Sequence, residues 1–405
     1  MGLRIQMPLG VRYIIDTLAA HGFEAYAVGG CVRDSLMGRT PNDWDITTNA
    51  EPAVMLGIFK KNRVIPTGIK HGTVTILCKG GQYEITTYRV DGAYTDGRRP
   101  ESVTFSTSLE EDLKRRDFTI NAMAYNDTHG LQDFFGGAAD LSRKLIKCVG
   151  AARERFDEDY LRMLRAYRFS ATLGFALDAE AESAIAEGCA RIKGISAERI
   201  QSELGKLLLS GNVPVMRMFF DVFAELLLPE CLCGGMDVYA SRMALLAKVE
   251  NDLCLRLAVL LSGNTEKAAA AALKRLKFDN DTIALVSVMV RLYERDIAPV
   301  RRDIKQLIAE NGAVPVRYAL RLRVAADTDN ASQVLALLDD ILASGEACTV
   351  ADLVVNGKDV MDTLGVPPGR AIGETLQRML ALVWDEPSVN TRERLLQAMR
   401  ENDKK

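Results

Sequence analysis

A change of rhythm at Gly150 constrains the fold of this chain more than any other feature. Before it, short runs rich in Val, Ile, Thr and Tyr alternate with helical spacing. Glu24–Val28 reads as a strand that runs into Gly29-Gly30. Thr73–Lys79 and Gln82–Arg89 read as a hairpin joined at Gly80-Gly81. Leu109–Ala124 reads as a turn and helix, and Gly136-Gly137 as another turn. After Gly150 nearly every segment has helical spacing, from Phe156–Leu173 to Gly369–Asp385 and Thr391–Glu401, with Pro367-Pro368 and Pro387 as breaks. The expectation is an α+β chain with a small α/β head and a long all-helical body. At 405 residues it exceeds one ordinary domain.

Composition narrows the function classes. The longest largely apolar run, about Ile283 to Val290, is far short of the roughly 20 residues a membrane span needs. The N-terminus lacks the charged and apolar regions of a signal peptide, so a cytoplasmic protein with no membrane partner is expected. Eight cysteines form no CxxC pair and there are only three histidines, which argues against a zinc site, a disulfide framework or a His-Asp phosphohydrolase. Net charge is −3, but Ala270–Ala325 carries eleven Lys/Arg against six Asp/Glu. Such a stretch reads first as solvated helix faces and second as a phosphate track.

The chemistry begins at Gly29-Gly30-Cys31-Val32-Arg33-Asp34. Two glycines after a strand let backbone N–H groups approach a phosphate, because no Cβ stands in the way. Arg33, one turn into the next helix, can add a charged fork to a triphosphate, and Asp34 can pair with it. Asp43-Trp44-Asp45 follows. A spacing of two puts both carboxylates on one face of a strand, and paired carboxylates suit Mg²⁺. Glu84, on the second hairpin strand, supplies a third carboxylate, either a metal ligand or the base for an attacking hydroxyl. In-line displacement at a phosphate is well served by two ions clamping the attacking and leaving oxygens. Each of these features is weak alone; their order and spacing carry the weight.

Together Gly29-Gly30-x-x-Arg33-Asp34 and Asp43-x-Asp45 resemble the signature of class II nucleotidyltransferases, the bacterial CCA-adding enzymes and poly(A) polymerases. Further blocks agree: Arg115-Arg116-Asp117-Phe118-Thr119-Ile120-Asn121-Ala122, then Glu158-Asp159-x-x-Arg162-x-x-Arg165-Ala166-x-Arg168-Phe169, then Ser196-Ala197-Glu198-Arg199-Ile200. Asn356-Gly357-Lys358-Asp359 and Pro368-Gly369 with Ile372-Gly373 extend the resemblance toward the C-terminus.

The resemblance implies a polymerase-β-like nucleotidyltransferase head with a small mixed sheet over 1–150. It implies a nucleotide-selecting helical neck over 151–212, a helical body over 213–328 and a helical tail that binds the tRNA elbow over 329–405. It implies template-independent addition of C, C and A to tRNA lacking its 3′ CCA end, from CTP and ATP with two Mg²⁺ ions. Asp43, Asp45 and Glu84 would be catalytic, with Asp43 and Asp45 holding metal. Gly30, Arg33, Arg116, Asp159, Arg162, Arg165 and Arg168 would bind nucleotide. Asp117 and Asn121 read as braces for the site, and Arg115 as structural.

Asp159, Arg162, Arg165 and Arg168 recur every three residues on an expected helix. A carboxylate and a guanidinium can present a donor–acceptor pattern that suits the amine and ring nitrogen of both cytosine and adenine. The segment from Arg89 to Pro100 reads as a mobile loop, and an intact loop here resembles enzymes that complete CCA. A poly(A) polymerase or a CC-adding enzyme is the alternative within the family, and a non-catalytic RNA-binding protein the alternative outside it. No stable protein partner is expected, and a homodimer stays open.

Overall fold

The computed structural model describes residues 4–92 and 103–402. The chain forms two compact units, Met1–Leu227 and Leu228–Lys405. Of the four segments expected above, 1–150 and 151–212 both lie in the first unit. The segment 213–328 is divided, because the helix Val213–Leu227 belongs to the first unit, where Phe219 and Phe223 both pack edge-on against Tyr167.

The first unit is built on strands β1 (Ala25–Val28), β2 (Asp45–Thr48), β3 (Arg63–Gly68), β4 (Thr73–Cys78), β5 (Gly81–Thr87), β6 (Arg89–Asp91), β7 (Val103–Phe105), β8 (Ala124–Asn126) and β9 (Gly130–Gln132). Seven of them form one sheet in the order β3-β4-β5-β2-β1-β8-β9, antiparallel throughout except for the parallel pair β2–β5. The expected small mixed sheet is therefore present.

β1 is buried on both faces. Ala25 and Ala27 join a core with Val11, Ile14 and Leu18 of the helix Leu9–Ala20, and with Ile46 and Ile85. Tyr26 and Val28 face a second core with Leu109, Leu113 and Val149. Alternation of side chains along one strand thus feeds two cores and fixes the register of everything around it.

Two local readings are corrected. The hairpin turn occupies Lys79-Gly80 rather than Gly80-Gly81, with Cys78 and Gly81 already paired. Lys79 (φ 48°) and Gly80 (φ 80°) are both left-handed, as a two-residue turn between right-twisted strands requires. And Arg89 is not the start of a loop: Arg89–Asp91 pairs with Val103–Phe105. Most of the segment expected to be a mobile loop, 93–100, lies outside the described residues.

The second unit is all-helical among its described residues. The helix Leu253–Leu261 is buried from Leu255 to Leu261 and packs against helices Asn280–Tyr293 and Ala313–Ala325. Toward the C-terminus, Val360, Met379, Leu380, Val383, Leu395 and Met399 form a separate apolar cluster. The block Asn356–Asp359 acts as a helix cap there. Asn356 accepts from the backbone of Lys358 and Asp359, and Asp359 accepts from the backbone N–H of Asn356 and from Arg392.

Candidate active site

β1 ends at Val28, and Gly29 turns the chain with φ 81° into the helix Gly30–Leu36. A side chain here would be strained, and its Cβ would lie 3.0 Å from Arg116 Nη1. The turn is closed by the Gly29 N–H donating to the Met123 carbonyl (3.1 Å). It opens a cleft of about 610 Å³.

Asp43 and Asp45 line one side of this cleft. β2 begins only at Asp45, so Asp43 precedes the strand instead of sharing it. The two carboxylates nevertheless stay together, because Trp44 between them is buried and both acids are exposed. Glu84 is the parallel register partner of Asp45, on the same sheet face. It is exposed next to the cleft without being one of its lining residues.

Arginines from three chain segments line the rest. Arg33 donates to Asp34 (2.8 and 2.9 Å) and to Asn121 Oδ1 (2.6 Å). Arg116 reaches Asp112 (3.5 Å), a carboxylate with no exposed surface that also accepts from Arg115 and from Thr47. Arg165 donates twice to Asp117 (2.7 and 2.9 Å), and Arg168 to Glu203 (2.5 Å). The guanidiniums of Arg33, Arg165 and Arg168 all lie over the ring of Phe169, at 5.3, 5.2 and 3.7 Å from its centroid. Asp117 and Asn121 brace the site as expected of them, since one holds Arg165 and the other Arg33.

The carboxylates near the cleft fall into two groups. Asp34, Asp112, Asp117 and Glu203 are each committed to an arginine. Asp43, Asp45 and Glu84 have, among the described residues, no donor on their carboxylate oxygens. The contrast shows in acidity. Burial would raise the pKa of Asp117, but Arg165, with hydrogen bonds from Asn121 and Arg165, overrides it and holds the group at about 2. Asp45 goes the other way. Desolvation at the cleft wall raises its pKa and Arg116 opposes the rise, but the neighbouring Glu84 and Asp43 add to it. Hard, uncommitted and mutually repelling oxygens are the donor set that a divalent cation such as Mg²⁺ takes up. The oxygen chemistry of these residues suits such an ion, and among the described residues no three His, Cys, Asp or Glu side chains are gathered as a preformed metal cluster.

Asp159 and Arg162 sit elsewhere. The helix expected over Phe156–Leu173 is broken: Ala152–Glu158 ends, Asp159 is extended (φ −145°, ψ 105°), and Leu161–Leu173 starts anew. Asp159 makes the break by accepting from the Leu161 N–H (3.1 Å) and from two nitrogens of Arg199 (2.7 and 3.1 Å). The stripe of four therefore starts at Arg162. Arg162 is 8% exposed and bonded to Glu158 and to the carbonyls of Arg155 and Arg115. Neither Asp159 nor Arg162 lines the cleft, whereas Gly30, Arg33, Arg116, Arg165 and Arg168 do.

Sequence reasoning missed Asn42, Phe169 and Lys206 as cleft-lining residues, and Glu203 as the partner of Arg168. Phe169 stood inside a recognised block and could have been read as a platform for its arginines. Lys206 and Glu203 belong to the helix Ala197–Leu208, which packs on Leu161–Leu173, and no local spacing announces that packing.

A model described as the Poly A polymerase head domain matches residues 25–147, and one for tRNA nucleotidyltransferase domain 2 matches 249–399. The chain is 36% identical to the CCA-adding enzyme of Lactiplantibacillus plantarum, over 95% of this chain and 93% of that one. It is 38% identical to the CCA-adding enzyme of Geobacillus kaustophilus, over 94% of each. The chain belongs to the CCA-adding enzyme family. Among solved structures, the Bacillus stearothermophilus CCA-adding enzyme in complex with CTP superposes with a TM-score of 0.81 at 33% identity, covering 99% of this chain and 98% of that one. A Thermotoga maritima CCA-adding enzyme complexed with tRNA shares the fold, with a TM-score of 0.64 at 21% identity. The head-and-helices architecture expected from sequence is that of this family.

Proposed function

We propose that this chain adds C, C and A to the 3′ end of tRNA lacking its CCA, taking CTP and ATP as substrates without a nucleic-acid template. The observation that carries this reading is the cleft itself, where uncommitted carboxylates at Asp43 and Asp45 face arginines held by carboxylates of their own. Relatives that match along nearly the whole chain are named CCA-adding enzymes, and one of similar structure binds CTP. Both facts support the same reaction.

Asp43 and Asp45 would hold Mg²⁺, two ions in all, which supply charge neutralisation and activation for in-line displacement when bound. Arg33 and Arg116 offset triphosphate charge beside the backbone of Gly30. Glu84, on the same sheet face, serves as a further ligand or accepts the proton of the terminal hydroxyl. Asp159 and Arg162 choose the base, exchanging Arg199 and Glu158 for a base edge, with Arg165 and Arg168 holding base or phosphate nearby. In this reading 1–150 is the nucleotidyltransferase head, 151–212 the neck, 213–328 the body and 329–405 the tail that meets the tRNA elbow.

The test is incorporation into tRNA lacking CCA with one triphosphate at a time. CTP alone should add two residues, ATP should then add one, and UTP and GTP should add none. A long A tract would replace this reading with poly(A) polymerase, and CTP addition without the final A would reduce it to a CC-adding enzyme. Asp43→Ala and Asp45→Ala should each abolish incorporation and leave tRNA affinity near that of the parent. Activity in either variant would overturn the metal assignment.

A further inference from the structure

Lys206 lies on the helix Ala197–Leu208 and lines the same cleft as Asp43 and Asp45. Every arginine that lines the cleft has a carboxylate partner: Arg33 has Asp34, Arg116 has Asp112, Arg165 has Asp117 and Glu203, and Arg168 has Glu203. Those guanidiniums are set in place by their partners. Lys206 differs. Among the described residues it has no ion pair or hydrogen-bond partner, and its side chain is exposed. Among the described residues it is the one cleft-lining cation without a carboxylate partner.

An ammonium at the end of a flexible stem behaves as a mobile point charge with three donors. Placed at the rim of a cleft built for phosphoryl chemistry, it has one evident class of ligand, a phosphate oxyanion. We propose that Lys206 is a phosphate-binding residue of this site. The proposal rests on the nucleotidyl-transfer reading and adds to it a residue that contacts substrate. The oxyanion can come from two sources, the triphosphate of the incoming nucleotide or a backbone phosphate near the 3′ end of the RNA.

Direct binding separates these sources and does not depend on turnover. The dissociation constants of CTP with Mg²⁺, and of tRNA lacking its CCA, are measured for the parent, Lys206→Met, Lys206→Arg and Lys147→Met. Lys147 is exposed and does not line the cleft, so its variant controls for net charge. Lys206→Met should weaken one ligand roughly 5- to 20-fold, Lys206→Arg should recover most of that, and Lys147→Met should leave both ligands within about twofold. A loss for CTP assigns Lys206 to the triphosphate, and a loss for RNA assigns it to the strand. If Lys206→Met binds both ligands within about twofold of the parent, or Lys147→Met loses as much, the proposal fails. A parent protein that binds both ligands yet adds no C, C and A would sink the proposed function instead, and the Lys206 comparison would still be readable.

Discussion

Asp117 shows how much a single residue organises here. One oxygen accepts from the Phe118 N–H (2.8 Å) and from Asn121 (3.1 Å), and the other accepts twice from Arg165. Asn121 in turn holds Arg33, so one carboxylate fixes arginines from two distant segments. Its pKa of about 2 lies below the ordinary carboxylate value. A depressed folded-state pKa means the stabilisation is complete above the unfolded value near pH 4 and is lost as pH falls toward 2. The loss should be about 2 kcal/mol. Asp117→Asn leaves Arg165 with Glu203 at 3.6 Å as its remaining carboxylate, and should destabilise by about 3 kcal/mol at neutral pH. Urea melts at pH 7 and pH 3 check both: the gap between parent and variant should narrow at the lower pH. An unchanged gap would mean that Asp117 carries no charge-dependent stability. A second expectation concerns base choice. Arg162→Ala should blunt discrimination of C and A from U and G while tRNA affinity changes little. A uniform loss of rate with fidelity intact would contradict the base-reading role.

At the scale of elements, the chain was legible where chemistry is local. Gly29, Arg33, Asp43 and Asp45 lie within one strand–turn–helix–strand passage, so spacing alone brought them together. Three things were less visible. The break at Asp159 depends on Arg199, forty residues further on, and the pattern of threes ran across it unaltered. Lys206 and Glu203 reach the cleft only because their helix packs on Leu161–Leu173. The basic stretch at 270–325, read first as solvated helix faces and second as a phosphate track, is the third case, because the charge of a sequence window is not the charge of a surface. Eight of its eleven cations pair with carboxylates, and of those acids only Glu310 lies inside the window; Glu230, Glu250, Glu266, Asp339, Asp340, Glu346 and Asp385 come from outside it. Arg323 is 4% exposed and donates to the carbonyls of Leu292, Tyr293 and Arg295, closing the end of the helix Asn280–Tyr293. Lys274 and Lys277 remain, with no partner among the described residues. Salt dependence of tRNA binding should follow them. Lys274→Ala and Lys277→Ala should together lower the slope of log affinity against log salt by about 1 to 2, and the charge-neutral double variant Arg317→Gln with Asp339→Asn should leave it unchanged. The opposite pattern would restore the whole stretch as a phosphate track.

For the whole molecule, the division at Leu227 and Leu228 gives the proposed function a test of its own. Every residue lining the cleft, from Gly29 to Lys206, belongs to the first unit, and so do Glu84, Asp159, Arg162 and Arg199. That unit also has its own apolar cores on both faces of β1, as a separately folding domain requires. The proposed recognition of the tRNA elbow, by contrast, falls in 329–405, within the second unit. On the proposed reading, chemistry and reach along the RNA fall in different units of one chain. A fragment of residues 1–227 should therefore unfold cooperatively and bind CTP with Mg²⁺ within a few-fold of the intact protein. It should lose most of its affinity for tRNA lacking CCA, by at least about tenfold, since phosphate contacts of the second unit would be gone. Calorimetry of the fragment, with CTP and tRNA titrations, reads all three quantities. Full tRNA affinity in the fragment would remove the elbow-binding role from the tail. A folded fragment with no CTP affinity would mean that the second unit helps to build the nucleotide site.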